Sequence, residues 1–167
     1  MFRLQEPLAD PEQQLLADLR QWMAGQSALC VAYSGGVDST LVAAMAYEAH
    51  GDAALAVTGV SPALAPHLLR EARDQASWIG IPHRECATAE LNDPDYSSNP
   101  VDRCFACKRE LHQHLQPIAA AAGDALVIDG VNLDDLGDHR PGIEAARQAG
   151  VRSPLAELSI DKSTIRV

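Results

Sequence analysis

The run Ala28-Leu-Cys-Val-Ala-Tyr33 and the loop Ser34-Gly35-Gly36-Val37-Asp38-Ser39-Thr40 that follows it decide the fold. The first is typical of a buried strand, and the second, called the 34–40 loop below, opens a helical pattern expected from Asp38 to about Ala49. Glycines between a strand and a helix allow positive φ angles and let a ligand approach the backbone closely. Because the free N–H groups and the dipole of the helix N-terminus then face that ligand, the sequence predicts a phosphate site.

The residue types in the 34–40 loop exclude two common classes of phosphate-binding loop. The loop and the helical segment after it contain no lysine, which excludes a GxxxxGK[ST] loop, and no GxGxxG fingerprint is present. The hydroxyls of Ser34, Ser39 and Thr40 can donate to phosphate. The carboxylate of Asp38 would repel it, so we expect Asp38 to be a helix cap or a ligand of a Mg²⁺ that also contacts the phosphates. A glycine turn capped by Ser and Asp, without a ligand, is the alternative.

The composition predicts one acidic globular domain. The 167 residues are 47% apolar and only 4% aromatic, which suits a single core of small aliphatic side chains. No apolar run is long enough for a membrane span, and the first residues do not resemble a signal peptide, so we expect a cytoplasmic protein. The net charge of −10, from 13 basic and 23 acidic residues, argues against nucleic acid as a partner.

Helical and strand patterns alternate along the chain. We expect strands over 28–33, 53–60, 83–87 and 125–129, and helices over 11–24, 38–49, 61–79, 103–122 and 142–149, with Pro117 breaking or kinking the fourth helix. This alternation predicts an α/β fold with a doubly wound, mostly parallel sheet. Ligands bind such sheets at the carboxyl ends of the strands. Besides the 34–40 loop, that edge would hold Val60, Ser61 and Gly130.

The segment Asn99-Pro-Val-Asp-Arg-Cys104-Phe-Ala-Cys107-Lys108 leaves several interpretations open. Structural zinc needs four ligands, and the nearest histidines do not have finger spacing. A redox pair, a metal or iron–sulfur site, a reactive thiol and simple packing of both thiols on an apolar helical stripe all remain. Arg103 and Lys108 are the better functional candidates, because cations beside a phosphate site can bind phosphate or carboxylate.

A second polar segment, from Asp129 to Gly142, contains four aspartates and one arginine. A calcium loop of the EF-hand type is excluded, because Gly137 at its sixth position would place Ile143 where the bidentate Glu is required. The segment is either a solvated loop whose aspartates cap helices or part of the site. In the second case Gly130 admits the adenine or ribose, Asp134 or Asp138 helps Asp38 to hold magnesium, and Arg140 binds an anion.

The 34–40 loop resembles the PP-loop, Ser-Gly-Gly-x-Asp-Ser, of the ATP pyrophosphatase superfamily. The order of four motifs, which are SGGVDST, NPVDRCFACK, GVNLDDLGDHRPG and GVRSPL, resembles one branch, the ATP-dependent sacrificial sulfur transferases of the LarE type. The likeness runs from about Gln14 to Arg166. It implies an adenine nucleotide hydrolase-like fold, ATP and Mg²⁺ as cofactors, and ATP contacts from the 34–40 loop, Val60, Ser61 and Gly130.

The resemblance also implies an activity in nickel-pincer cofactor synthesis. ATP adenylates a carboxylate of a pyridinium dicarboxylate mononucleotide, a cysteine thiolate attacks, and that cysteine gives up its sulfur. We expect Asp38 and Lys108 to be catalytic, and Arg103, Lys108 and Arg140 to bind the substrate or its phosphate. The alternatives are another PP-loop ligase, such as an NAD or GMP synthetase or a tRNA thiolase, and a nucleotide-binding module without turnover.

One departure concerns the donor cysteine, which in the family lies in a Cys-Leu-x-Ser-Arg-like segment after the Arg-Ser-Pro-Leu motif. This chain has no cysteine after Cys107. We therefore expect the ATP-binding domain of such an enzyme, as a truncated or a naturally short form. Residues 1–26 would form a helix packed on the domain, 27–155 the ATP-binding domain, and 156–167 the start of a further region, with a homo-oligomer possible at full length.

Overall fold

Four parallel strands form the centre of the fold. The computed structural model describes residues 7–88, 100–137 and 141–167, with the side chains at 100–109, 141, 142, 144 and 145 left out. The strands are β1 (Leu29–Ala32), β2 (Ala54–Val60), β3 (His83–Ala87) and β4 (Leu126–Ile128), in the order β3-β2-β1-β4. Their registers pair Leu29 with both Ala54 and Leu126, and Ala56 with His83.

Seven α-helices accompany the sheet in the described residues. They are α1 (Asp10–Ala24), α2 (Val37–His50), α3 (Pro66–Ile79), α4 (Pro100–Ala121), α5 (Pro141–Gln148), α6 (Pro154–Glu157) and α7 (Lys162–Ile165), with short 3₁₀ turns at Gly51–Ala53 and Asp134–Gly137. Among these residues no helix is both long and apolar enough to cross a membrane.

Both faces of the sheet are buried, because successive side chains of a strand point to opposite sides. Leu29 and Val31 of β1 pack with α1, α2 and α3, whereas Cys30 between them packs with α4 and α5. The chain adds β2 and β3 on one side of β1 and then crosses to place β4 on the other side. The predicted doubly wound parallel sheet is confirmed. Its switch point lies between β1 and β4, where the 34–40 loop meets the loop after β4.

One predicted helix start is wrong, and so is the predicted break at Pro117, whereas a kink at that proline stays a prediction. The helix before β3 begins at Pro66 and not at Ser61, because residues 61–65 form a turn in which the backbone N–H of Ala63 donates to Ser61 Oγ at 3.2 Å. Pro117 lies inside α4 without ending it, since the helix continues to Ala121. Leu115 and Ala119 are buried on either side of this proline, and their packing holds the helix across it.

The thiol of Cys30 lies in the core, and we predict that its ionisation in the unfolded chain lowers the stability of the protein at alkaline pH. Burial raises the pKa of this thiol from its ordinary value of 9.0 to about 11. Above pH 9 the unfolded chain loses the thiol proton while the folded chain keeps it, so the free energy of unfolding falls as pH rises towards 11. The full difference is roughly 2 to 3 kcal/mol. Urea unfolding at pH 7.5 and 10.5 should show a smaller alkaline loss in Cys30→Ala than in the wild type; an equal loss in both would contradict the assignment.

Candidate functional site

A cavity of about 880 Å³ opens at the carboxyl ends of the strands, on the switch point between β1 and β4. Four parts of the fold line it: the 34–40 loop with the start of α2, the ends of β2 and β3 with the residues that follow them, the loop after β4 together with α7, and one residue each of α4 and α5, Leu111 and Ile143. Its volume lies within the range of about 300–1,000 Å³ that is usual for small-molecule sites. The edge of the sheet predicted to bind a ligand is therefore concave.

The two glycines of the 34–40 loop have different roles. Gly35 has φ of 85°, and a Cβ there would lie 2.9 Å from Cα of Ala72 on α3, so this position needs glycine for the fold itself. Gly36 is the N-cap of α2 with an extended backbone, and the nearest atom to an added Cβ is Ser34 Oγ at 3.5 Å. The lack of a side chain at Gly36 therefore leaves open space at the helix N-terminus.

The hydroxyl groups of the loop also fall into two groups, those that line the cavity and one that bonds to a neighbouring helix. Ser34 and Ser39 line the cavity, and their Oγ atoms lie 3.1 Å apart. Thr40 does not line it: its hydroxyl donates to Gln75 Oε1 on α3 at 2.8 Å. The expected hydroxyl contact of Thr40 with phosphate is therefore not supported by this geometry, whereas Ser34, Val37 and Ser39 line the cavity and their phosphate contacts stay a prediction.

The carboxylate of Asp38 is held from across the cavity. Lys162 Nζ donates to Asp38 Oδ1 and to Oδ2, both at 2.8 Å, and Asn132 Nδ2 donates to Oδ2 at 3.0 Å. The N-cap of α2 is Gly36, without a side-chain cap, so the interpretation of Asp38 as the helix cap is wrong. The side chain of Asp38 points away from the helix N–H groups because an ammonium and an amide bind it instead.

The loop after β4 is fixed by its own aspartates. Asn132 and Asp135 bond reciprocally, each backbone N–H donating to the other side chain at 3.0 and 3.2 Å. Asp129 Oδ1 accepts from Ser153 Oγ at 2.7 Å and from the N–H of Val131 at 3.1 Å. These bonds hold Asn132, which is only 2% exposed, against Asp38. Part of this acidic segment is thus a structural loop that positions one amide.

Gly130 lies against the start of α2. A Cβ on Gly130 would lie 2.7 Å from the backbone nitrogen of Ser39 and 3.0 Å from its Cα. Glycine is therefore required here by the packing of the β4 loop on the helix. A contact of Gly130 with adenine or ribose stays a prediction.

The predicted metal ligands do not form a cluster in the described part of the chain. Asp134 Oδ2 accepts the backbone N–H of Lys162 at 3.0 Å, Asp38 binds the side chain of the same lysine, and Asp138 lies outside the described residues. Among the side chains that the structure describes, no group of three or more His, Cys, Asp or Glu has the arrangement of a metal site. The ligand set of Asp38, Asp134 and Asp138 stays a prediction.

On the other side of the cavity, a buried hydroxyl fixes the end of β1. Thr58 Oγ1 donates to the carbonyl of Tyr33 at 2.8 Å and lies 2.8 Å from His83 Nε2. Because the hydroxyl has one proton, His83 must donate from Nε2, and burial lowers the pKa of His83, which favours the neutral ring. Ser61 lines the cavity as expected, whereas Val60 does not, and its carbonyl accepts from the N–H of Thr88 at 2.8 Å.

Several candidate site residues from the sequence analysis lie outside the part of the chain whose side chains the structure describes. Arg103, Cys104, Cys107 and Lys108 belong to α4, but their side chains are not among those described, and Arg140 lies outside the described residues. Conversely, the sequence analysis missed Lys162, Asn132 and Thr58, which all line the cavity. The signal for Lys162 was its charge next to a capping Asp161, whose carboxylate accepts from the N–H of Thr164 at 2.8 Å.

Comparisons with known proteins agree with this geometry. No family model matches the sequence. Pyridinium-3,5-bisthiocarboxylic acid mononucleotide synthase from Lactiplantibacillus plantarum is 35% identical over 137 residues, covering 81% of this chain and 50% of that protein. The chain is a homologue of the LarE-type sulfur transferases. Another homologue, the uncharacterized protein slr1717 from Synechocystis, is 54% identical over 151 residues, which are 90% of this chain and 56% of that protein.

Two solved structures of synthetases share this fold. NH3-dependent NAD synthetase from Campylobacter jejuni has a TM-score of 0.74 at 20% identity, over 92% of this chain and 70% of that one. NMN synthetase from Francisella tularensis has a TM-score of 0.76 at 17% identity, over 95% and 68%. At these identities the likeness shows the fold of this LarE-type homologue. The chain spans about half the length of the curated relatives it matches, 56% and 50% of the two named above.

Proposed function

We propose that this chain binds ATP on the 34–40 loop and transfers AMP to a carboxylate of a pyridinium dicarboxylate mononucleotide, as the adenylating part of a sulfur transferase. The observation that carries the proposal is the open N-terminus of α2 at Gly36, which faces the cavity in a chain homologous to a pyridinium bisthiocarboxylic acid mononucleotide synthase. Nickel-pincer cofactor synthesis would be the pathway.

The proposed binding mode places the β- and γ-phosphates at the start of α2. The first N–H groups of a helix have no partner within the helix, and the helix dipole favours negative charge at this end. The hydroxyls of Ser34 and Ser39 add donors at the same end, and Ser61 lies on the opposite wall. This arrangement holds pyrophosphate, which is the leaving group of an adenylation. Its charge is stabilised as it separates, so the loop contributes most in the transition state.

In the reaction itself, a carboxylate oxygen of the acceptor bonds to the α-phosphorus of ATP. The bond between that phosphorus and the oxygen that bridges to the β-phosphate breaks, and pyrophosphate takes the electron pair. Leu111 of α4 and Ile143 of α5 line one part of the cavity, and α4 also carries Arg103 and Lys108 in its sequence. We propose this side for the acceptor, with Arg103, Lys108 and Arg140 as anion-binding residues and Lys108 acting in catalysis.

Magnesium is proposed as the metal that accompanies ATP in the cytoplasm. Mg²⁺ is usually held by one or two carboxylates together with substrate phosphates, so it does not need a cluster of protein ligands. Asp38 has the right chemistry and position, two residues into α2 and in the cavity wall. When bound, the ion would neutralise charge on the phosphates.

The thiols described in the structure are not proposed as sulfur donors. Cys30 is fully buried in the sheet, and Cys86 on β3 is half-buried; neither lines the cavity. Burial raises the pKa of both thiols, which lowers the fraction present as thiolate. A nucleophile needs the opposite environment.

Product analysis tests the proposed function. The purified chain is incubated with ATP, Mg²⁺ and the pyridinium dicarboxylate mononucleotide, and nucleotides and pyrophosphate are quantified by ion-exchange chromatography and an enzymatic assay. We expect pyrophosphate and the AMP adduct of the acceptor in equal amounts, formed only when the acceptor is present, with free AMP appearing as water hydrolyses the adduct. ADP and phosphate would contradict adenylation. ATP binding without turnover would support the alternative of a nucleotide-binding module, and turnover with a different acceptor would support another PP-loop ligase.

A further inference from the structure

The ammonium group of Lys162 occupies both oxygens of the Asp38 carboxylate. Its ammonium donates to both carboxylate oxygens at 2.8 Å, and Asn132 Nδ2 donates to one of them at 3.0 Å. A metal ion binds carboxylate oxygens through the same lone pairs. Three of the roughly four lone-pair sites of this carboxylate are therefore occupied, and the ammonium repels a second cation beside it, so binding of a divalent cation to Asp38 favours release of Lys162.

The backbone that carries Lys162 is held by hydrogen bonds, whereas its side chain is partly exposed and, among the described residues, is held only by its contact with Asp38. The N–H of Lys162 donates to Asp134 Oδ2 at 3.0 Å, and Asp161 caps α7 through the N–H of Thr164 at 2.8 Å. The side chain of Lys162 is 33% exposed and that of Asp38 is 18% exposed. An ion pair with this exposure is weak, and a lysine has a long flexible stem. A change of side-chain rotamer would be enough to separate the pair.

Charge in the cavity makes such a movement useful. Of the described residues that line it, Lys162 is the one cation, and Asp38, Asp129, Asp134 and Asp135 are acidic. A polyphosphate that enters this cavity meets carboxylates unless they are neutralised. The ammonium of Lys162 and a divalent cation are the two means of neutralising them at the start of α2.

We infer that Lys162 exchanges partners, leaving the carboxylate of Asp38 for the phosphates of the nucleotide when the metal–nucleotide complex binds. The inference rests on the proposed function for its nucleotide half. Before the nucleotide arrives, the ammonium occupies the place of the metal and keeps divalent cations off Asp38. After it arrives, one positive charge contacts the phosphates and the metal lies between phosphate and Asp38. Lys162 thus has two roles: it guards Asp38, meaning that it blocks this carboxylate from divalent cations in the absence of nucleotide, and it binds the phosphates when the nucleotide is present.

Metal binding without nucleotide tests the guarding role. Mn²⁺ is titrated into the nucleotide-free protein, and the free ion is measured by electron paramagnetic resonance. We expect weak binding to the wild type and roughly tenfold tighter binding to Lys162→Met, a factor that corresponds to about 1.4 kcal/mol. In calorimetry with Mg²⁺ present, the same variant should bind ATP roughly tenfold more weakly, because it lacks the phosphate contact. A single substitution would thus change the two affinities in opposite directions.

Three further variants make the result specific. Arg147→Gln removes one positive charge from an exposed position on α5 and should change neither affinity, although it alters the net charge by the same amount. Lys162→Arg keeps the cation and should keep Mn²⁺ binding weak. Asp38→Asn combined with Lys162→Met should lose the gain in Mn²⁺ affinity, which places the bound ion at Asp38. Circular dichroism and thermal unfolding establish that each variant is folded.

The outcomes separate this inference from the proposed function. Unchanged Mn²⁺ affinity in Lys162→Met would overturn the guarding role, whatever the nucleotide result. Unchanged ATP affinity in that variant, with a wild type that binds ATP, would overturn the exchange onto phosphate. A wild type that binds no ATP would contradict the proposed function. The Mn²⁺ measurement would still decide whether Lys162 keeps divalent cations from binding to Asp38.

Discussion

Gly36→Val is expected to abolish ATP binding while leaving the fold intact. Gly36 has φ of −69° and ψ of 164°, an extended backbone that β-branched residues adopt readily, and the atom nearest to its added Cβ is Ser34 Oγ at 3.5 Å. The new side chain would occupy the space in front of the α2 N-terminus. Phosphate would lose at least two charge-assisted hydrogen bonds from backbone N–H groups, which corresponds to about a hundredfold or more in affinity.

The matched control for this change is Gly25→Val. Gly25 follows α1 with a helical backbone, and its added Cβ would meet only ordinary contacts, the nearest at 3.4 Å from the carbonyl oxygen of Trp22. Both variants should unfold within a few degrees of the wild type, as expected for a change of about 1 kcal/mol. Calorimetric titration with MgATP should show binding in Gly25→Val and none in Gly36→Val. If Gly36→Val bound ATP with wild-type affinity, the phosphates would not bind at the 34–40 loop and this prediction would be wrong.

The sheet and its binding edge were predictable from the sequence because they depend on local patterns. Apolar runs of four to seven residues alternate with helical stripes, and this alternation determines a parallel sheet with covered faces. β3 has its predicted bounds of His83–Ala87. The start of α3 was placed too early because Ser61-Pro62 has the sequence signature of a helix start, whereas the chain makes a turn there and uses Pro66 instead.

The partners of the site residues were not predictable, because they are distant in sequence. Asp38 and Lys162 are separated by 124 positions, and Asp38 and Asn132 by 94. A periodic pattern carries no information on such pairs, and the sequence therefore allowed Asp38 to be a cap. The adjacent glycines of the loop were also equivalent in sequence. Only the position of α3, which contacts Gly35 and leaves Gly36 open, distinguishes a structural glycine from one that faces the cavity.

Gly130→Ala is expected to destabilise the fold and to weaken ATP binding in the same variant. The added Cβ would lie 2.7 Å from the nitrogen and 3.0 Å from the Cα of Ser39, and 3.1 Å from the carbonyl carbon of Asp38. All three atoms are backbone, so a side-chain rotation cannot relieve the contact. Either the loop after β4 or the first turn of α2 must move. Overpacking of this kind costs about 1–3 kcal/mol, which corresponds to a drop of roughly 2–10 °C in Tm.

The control is Gly137→Ala in the same loop, where an added Cβ has no atom within 4 Å. Any movement that relieves Gly130→Ala also shifts the amide of Asn132 relative to Asp38, because Asn132 Nδ2 and Asp38 Oδ2 are only 3.0 Å apart. We therefore expect Tm and ATP affinity to fall together in Gly130→Ala and to stay at wild-type values in Gly137→Ala, measured by scanning calorimetry and titration. A stable Gly130→Ala with reduced affinity would instead mean that the nucleotide itself contacts Gly130, because only the ligand would then meet the added methyl group.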